Sequence, residues 1–247
     1  MGADEDPWSA VAEGWSQLWG PSGAPVWPVL LGTTGVGPGT RLLDVGCGSG
    51  ELLRAARGRG GDAVGVDPAP GMARRAARHA PGAVVIASAD DLPFPDATFD
   101  VVTCVNALHL ADDVDDALAE AVRVLRPDGW VALAGWAEGS RNDLQRIEAA
   151  VARRAGDDVP PDGLLHREGG FEELLRDAGL APVAAGLVEV PWQVPDDDAL
   201  VRGVLLGEDA AGLADARAMV VEAARPFRSP DGGYRLVNRY RWAVARA

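Results

Sequence analysis

One short stretch, Leu42 to Gly50 (LLDVGCGSG), constrains this chain more than any other. Leu42, Leu43 and Val45 form an apolar run around Asp44, and Gly46, Gly48 and Gly50 follow, spaced two apart. The next residues, Glu51 to Ala56, are rich in helix formers. The stretch therefore reads as a buried strand, a tight glycine turn and a helix N-terminus. Glycine permits positive φ in such a turn and lets a ligand touch bare backbone. A binding site is expected there.

Length and charge limit what that ligand can be. The 247 residues can bury one substantial core and leave material for a cap. Lys and Arg number 23 against 37 Asp and Glu, a formal charge of −14 that repels phosphate backbones, and no dense basic run offsets it. Nucleic acid is not an expected partner. Cys47 and Cys104 have no Cys or His at metal-ligand spacing, so no metal is expected, and reduced thiols suit a cytoplasmic location. No apolar stretch approaches the ~18 residues of a membrane span. The opening MGADEDP is acidic where a signal peptide is basic. The expectation is a cytoplasmic protein without a membrane partner, monomeric or homodimeric.

Strand-like and helix-like segments alternate from residue 41. Strands are expected at Arg41–Val45, Ala63–Val66, Ala83–Ala87, Phe99–Val105 and Trp130–Gly135. Helices are expected at about Glu51–Arg57 and Pro70–Ala80, and over the apolar stripe from Val114 to Leu125. Pro127, Asp128 and Gly129 make a turn. Such alternation implies a parallel sheet with helices on both faces and ligands at the carboxyl ends of its strands. Those ends are Asp44 to Gly50, Asp67, Ser88 to Asp91, Asn106 to His109 and Trp136 to Glu138. Before this core, residues 1–40 form a helical lid, with Val11, Trp15 and Trp19 at i, i+4 and i+8. That aromatic face either packs on the core or covers a ligand. After the core come a helix over Asn142–Arg154, a Pro- and Gly-rich loop to Gly170 and a short helix at Phe171. A strand over Pro182–Val194, two helices within 197–224 and a final strand over Tyr234–Ala245 complete the chain. The two late strands are read as an antiparallel pair, with cap elements at about 140–170 and 197–228 on a domain spanning 41–247.

The turn departs from a dinucleotide fingerprint, since Glu51 stands where G-x-G-x-x-G needs its third glycine. Asp44 would also repel a pyrophosphate docked on the following helix. An ammonium belongs there instead. Asp67, at the end of the second strand, suits the two hydroxyls of a ribose. A ribose with a cationic amino-acid tail and no phosphate is S-adenosylmethionine.

Four ordered motifs, LLDVGCGSG (42–50), VGVDPAPGM (64–72), LPFPDATFDVV (92–102) and RVLRPDGWVAL (123–133), are similar to those of class I S-adenosylmethionine-dependent methyltransferases. The likeness is greatest to the ubiquinone/menaquinone-biosynthesis-like (Methyltransf_11-type) small-molecule enzymes and covers about residues 40–136. The resemblance implies an α/β, Rossmann-like, doubly wound, seven-stranded and mostly parallel sheet, with the antiparallel C-terminal pair and a helical cap. It implies S-adenosylmethionine as cofactor, S-adenosylhomocysteine as product, and no metal. By position, Gly46, Cys47, Gly48 and Gly50 would approach the methionine part, with Asp44 near its ammonium. Asp67 would hold the ribose, while Pro68 and Met72 would wall the adenine. Ser88, Ala89 and Asp90 would meet the adenine edge, and Val105 and Asn106 the sulfonium end, with Trp15 and Trp19 closing over the cofactor. Two departures stand out: Ser88 replaces a common Asp or Asn, and Asp128 replaces the first glycine of a usual Pro-Gly-Gly.

The acceptor is less legible. His109, after the fourth strand, and His166, in the loop before Phe171, are the candidate general bases. Trp136, Glu138, Arg141, Phe171, Trp192 and Phe227 are candidates for lining an apolar, aromatic acceptor pocket; the aromatic ones read equally well as core. No Asn-Pro-Pro-Tyr-type tetrapeptide follows the fourth strand, which disfavours amino-group methylation of adenine, cytosine or glutamine. The expectation is methyl transfer to an O, N or C atom of a small, apolar or aromatic metabolite, by analogy in bacterial secondary metabolism. Two alternatives stay open: a non-methylating enzyme such as a cyclase on the same fold, and a silent cofactor-binding regulator.

Overall fold

The computed structural model describes residues 6–159 and 161–247. The first five residues of the expected lid, and Pro160 in the expected loop, lie outside the described residues. Helices α1 (Pro7–Leu18) and α2 (Trp27–Thr33) precede the sheet. Five parallel strands follow in the chain: β1 (Arg41–Val45), β2 (Asp62–Val66), β3 (Val84–Val85), β4 (Phe99–Val105) and β5 (Leu125–Trp136). They lie in the order β3-β2-β1-β4-β5, linked on the two sides by α3 (Glu51–Gly58), α4 (Pro70–Ala76) and α5 (Val114–Val124). The chain thus moves outward from β1 through β2 and β3, then returns to β4 on the other side of β1. That reversal opens a crevice between the carboxyl ends of β1 and β4, where ligands of such sheets bind.

Two more strands complete a seven-stranded sheet, β6 (Ala181–Glu189) and β9 (Arg239–Arg246), with β9 antiparallel to both β5 and β6. The mostly parallel sheet with an antiparallel C-terminal pair is as expected. Each expected late strand is broken in two, however. After Val190 and Pro191 the chain leaves β6 to form β7 (Trp192–Val194), which pairs with β8 (Tyr234–Leu236) in a separate small sheet. Asn238 makes the matching break before β9: its side chain accepts the N–H of Leu144 at 3.0 Å, and its carbonyl accepts the N–H of Val190 at 2.8 Å. One buried side chain thereby ties helix α6 (Asp143–Ala155) to the point where both strands change sheet.

Smaller differences have local causes. The third strand spans two residues rather than five, because Ile86 and its neighbours run on past the end of the β2 ladder. Helix α4 ends at Ala76 and continues as turns to Ala80. The Pro127–Gly129 turn lies inside β5 as a bulge, between the pairs Phe99–Leu125 and Val101–Trp130. Asp128 has φ 62° there, the conformation that a glycine in that place would take without strain.

The cap gathers α1, α6, α8 (Asp197–Val204) and α9 (Ala210–Ala223) over the carboxyl edge of the sheet. Its core joins Leu144, Ile147, Leu200 and Val220 to Trp19 and Trp192. Trp19 stacks on Trp192 at 4.2 Å between ring centroids and donates its indole N–H to the Gly203 carbonyl at 3.0 Å. Leu164 and Leu165, which fall within the 140–170 stretch, pack with the main sheet core, as do Phe171, Leu174 and Leu175 of α7 (Gly170–Asp177). No helix among the described residues is long and apolar enough to cross a membrane.

Candidate functional site

Glycine turn and switch point coincide. Gly46, Gly48 and Gly50 have φ of 67°, 53° and 91°. A Cβ on Gly46 would collide with the Cβ of Ala107, so glycine is what allows the turn to pass under the loop after β4. At Gly50 a Cβ would lie 2.7 Å from the Cα of Ala76, so this glycine serves the packing of α3 against α4 and is not among the residues that line the cavity at the turn. The exposed backbone between them faces a cavity of about 200 Å³.

Two carboxylates define the floor of this cavity. Asp44, the last residue but one of β1, is 3% exposed and accepts the Thr103 hydroxyl of β4 at 2.7 Å across the switch point. Burial pushes its pKa up to about 7; the Thr103 bond opposes this, and the charges of Asp67 and Glu51 add to it. A buried acid so perturbed is poised to gain from a cation brought beside it. Asp67, after β2, accepts the N–H groups of Gly48 at 2.8 Å and Ala69 at 3.0 Å. Burial raises its pKa, and these two bonds oppose the rise. With both oxygens anchored by backbone, the carboxylate is fixed in orientation, and each oxygen keeps a lone pair for a hydroxyl.

Most of the expected cofactor residues line this one cavity. Cys47, Pro68, Met72, Ser88 and Ala89 surround it on the β2–β3 side, and Val105 and Asn106 on the β4 side. Asp90 lines neither this cavity nor the next. Cys47 is a buried, free thiol whose pKa burial pushes up, which suits a turn residue rather than a nucleophile. The lid is held in place by direct bonds: the Ser9 hydroxyl accepts the N–H of Gly71 at 2.8 Å, and Glu13 pairs with Arg75 at 3.4 Å. Met72 packs with Ala12 of the lid, and Trp8 and Trp15 close over it. The aromatic face of α1 therefore does both things the sequence left open. Trp15 and Trp19 line the cavity, and Trp19 is also core.

A second cavity, of about 530 Å³, adjoins the first and shares Trp8, Trp15, Trp19, Asn106 and Leu110 with it. Asn106 stands at the junction with φ 54°, unusual for a residue other than glycine, and its side-chain oxygen is buried without a partner among the described residues. Strained backbone and an orphaned acceptor together mark a functional position. His109 and Trp136 line this second cavity, as expected of an acceptor pocket. The pKa of His109 is lowered by burial first and by the nearby His166 second, so its imidazole is neutral at pH 7 and able to accept a proton.

The remaining acceptor-side candidates lie elsewhere. His166 lines neither cavity; its carbonyl accepts Arg241 at 3.0 Å, and its Nδ1 is buried and unpaired among the described residues. Glu138 is bound by Arg241 and Arg141. Burial opposes its charge, but its own backbone N–H and those two guanidinium groups outweigh this and hold its carboxyl below the usual range. Glu138 and Arg141 thus form a structural ion network between β5 and β9. Phe171 belongs to the sheet core, Trp192 to the stack on Trp19, and Phe227 packs at the edge of the cap core. None of these lines either of the two cavities; each finds apolar partners of its own.

Some lining residues were not read from the sequence. Ser22, Trp27 and Tyr240 reach the first cavity from outside the motifs, and nothing in their spacing marks them. Glu148 reaches the second from the cap and did leave a trace, an acid on the apolar stripe of α6. Among the described residues no cluster of three or more His, Cys, Asp or Glu could hold a metal ion.

Comparison with known proteins agrees with this arrangement. Residues 43–133 match the methyltransferase domain family. Nocamycin O-methyltransferase of Saccharothrix syringae is 32% identical over 201 residues, covering 72% of this chain and 72% of the relative. An uncharacterized protein of Mycobacterium tuberculosis is 35% identical over 175 residues; that match covers 68% of this chain but only 64% of the relative, just under two thirds of its length. The crystal structure of the YcgJ protein of Bacillus subtilis shares the fold, with a TM-score of 0.62 at 20% identity over 89% of this chain and 97% of that one. With the first two motifs at one switch-point cavity and the other two running through β4, α5 and β5 of the sheet that carries it, this chain belongs to the class I S-adenosylmethionine-dependent methyltransferase family.

Proposed function

We propose that this protein transfers the methyl group of S-adenosylmethionine to a small, apolar or aromatic metabolite in the cytoplasm of a bacterium, as a step of secondary metabolism. The observation that carries the reading is the pair of adjoining cavities, one floored by Asp44 and Asp67 and the other walled by tryptophan, meeting at Asn106. The cofactor supplies an electrophilic methyl on a sulfonium, whose displacement needs an acceptor atom in line at about 3–3.5 Å. Asp44 receives the ammonium and Asp67 the ribose hydroxyls. Met72 and Pro68 flank the adenine, and Ser88 and Ala89 meet its edge. The lid tryptophans exclude water from the junction. His109, neutral and on the acceptor side, takes the proton that an oxygen acceptor gives up. Oxygen is favoured as the acceptor atom because the nocamycin relative is by name an O-methyltransferase.

The test is incubation with S-adenosylmethionine carrying a CD3 group and a panel of small aromatic and polyketide alcohols, read by mass spectrometry. A product that gains one CD3 group, formed together with S-adenosylhomocysteine, is expected. A rearranged product without the label would establish the cyclase-type reading instead. Binding without any turnover across the panel would favour the regulator. His109→Ala should lower turnover by roughly tenfold or more with cofactor affinity held. His166→Ala, near His109 but outside the lining of both cavities, should have less effect; unchanged turnover in both variants would remove the general base.

A further inference from the structure

Helix α6 breaks its own pattern at one position. Leu144, Ile147 and Val151 recur at i, i+3 and i+7 and pack into the cap core. Glu148 takes the i+4 place of the same stripe, where an apolar side chain belongs. Leu144 and Glu148 both line the second cavity, whose walls include Trp8, Trp15, Trp19 and Trp136. Glu148 itself is exposed and lines this cavity.

The chain makes no structural use of this carboxyl among the described residues. It caps no helix, bonds no backbone group and pairs with no Arg. Partial desolvation beside the cavity walls raises its pKa, and no hydrogen bond or neighbouring charge contributes. His109 is the other ionisable group on the cavity lining, and burial and His166 lower its pKa, so it brings no stable cation. Ring faces and a carboxylate share one preferred guest, an organic cation.

We propose that Glu148 recognises a protonated amine on the acceptor, so that the substrate class is an apolar or aromatic molecule carrying a basic nitrogen. The ammonium sits at the cap against α6, and the atom that receives the methyl group lies across the cavity near Asn106 and His109. A neutral hydroxyl at the same place would leave the carboxylate charge uncompensated, whereas an ammonium neutralises it and offers its face to the tryptophans. The net charge of −14 adds a long-range attraction for such a cation. The proposal rests on the methyl-transfer reading for its reaction, but the recognition itself can be measured without turnover.

Tryptamine and tryptophol differ only in ammonium against hydroxyl and serve as matched probes. Their binding is measured by calorimetry at about pH 8 on the full chain saturated with S-adenosylhomocysteine, where Glu148 is ionised. Tryptamine should bind roughly tenfold or more tighter than tryptophol. Glu148→Gln, which fills the same space, should remove the difference and leave the affinities for tryptophol and S-adenosylhomocysteine unchanged. Glu148→Leu, which removes the carboxylate and keeps an apolar side chain in its place, should also remove the preference. Equal affinity for the two probes, no binding of either, or a preference that survives in both variants would overturn the proposal. Failure of S-adenosylhomocysteine to bind the wild-type chain would instead count against the methyltransferase reading, and the amine preference would then be read on the cofactor-free chain.

Discussion

Asp44 offers the sharpest prediction, because its charge is costly to the empty fold and useful to the bound one. Burial raises its pKa from 3.8 to about 7, a shift of roughly 3 units or about 4 kcal/mol. The sign follows from linkage: a raised acid in the folded state means that the unfolded chain ionises first. Asp44's contribution to the stability of the cofactor-free protein is therefore fully present below the unfolded pKa of 3.8 and is lost, by up to about 4 kcal/mol, as pH rises to about 7, where the loss levels off. Cofactor binding runs the other way, since an ammonium beside Asp44 requires the carboxylate, and below its pKa the proton must first leave. Affinity should fall tenfold per pH unit in that range, so that the Kd at about pH 5.5 is roughly 15-fold weaker than at about pH 7. Over this window the ligand's own α-amino group, with a pKa near 7.7–8.0 in model compounds, stays charged. Calorimetric titration of S-adenosylmethionine, repeated in buffers of different ionisation enthalpy, reads both the affinity and the proton released. Asp44→Asn should flatten most of the pH dependence, leaving the part due to Asp67, and should lose the cofactor affinity gained above pH 7 while stabilising the empty protein there. An affinity independent of pH in the wild-type chain, or the same slope in Asp44→Asn, would refute this account of the site.

Four further outcomes are expected. Gly46→Ala, which forces a Cβ onto Ala107 at φ 67°, should destabilise the protein by roughly 1–3 kcal/mol in urea unfolding and abolish cofactor binding. Asp67→Ala frees the N–H groups of Gly48 and Ala69 and should weaken S-adenosylhomocysteine by about tenfold or more in calorimetry, with a matching loss for adenosine alone. Trp19→Ala removes the stack on Trp192 and the bond to Gly203, and should cost about 3–5 kcal/mol and expose the cap helices to hydrogen exchange before the sheet. Asn106→Gly relaxes the φ of 54° and should raise the unfolding free energy by about 1 kcal/mol while lowering turnover.

The sheet core was legible because local and global signals agree there. In β1 and β4 a short apolar run ends in a polar residue aimed at the crevice, and parallel strands buried on both faces announce themselves in this way. Asp44, Asp67 and Asn106 could be placed for that reason: each sits at the carboxyl end of a strand. The breaks in the late strands were hidden because they depend on side chains far apart in the chain. Asn238 reaches Leu144, and the N–H of Arg239 reaches Asn142, across more than ninety residues. Nothing in the stretch from Pro182 to Val194 announces that Trp192 will leave the sheet to meet Trp19. Aromatic residues were ambiguous throughout, since the same indole can be core, lid or pocket wall. Phe171 and Trp192 became core, Trp15 and Trp136 became wall, and Trp19 became both. Ion pairs misled in a similar way: Glu138 and Arg141 stand at the active rim in sequence, yet Arg241 of β9 draws the carboxylate into the sheet edge. Glu148 is the opposite case, a local breach of the apolar stripe that gains meaning only from its place on the lining of the second cavity.

The central claim is that the glycine turn holds a phosphate-free nucleoside with an ammonium tail. Equilibrium binding of labelled S-adenosylmethionine to the purified chain, with S-adenosylhomocysteine and NAD+ as competitors, tests it most directly. The account predicts one cofactor molecule bound per chain, displaced by S-adenosylhomocysteine and left in place by NAD+. Displacement by NAD+, or no binding of S-adenosylmethionine at all, would contradict it.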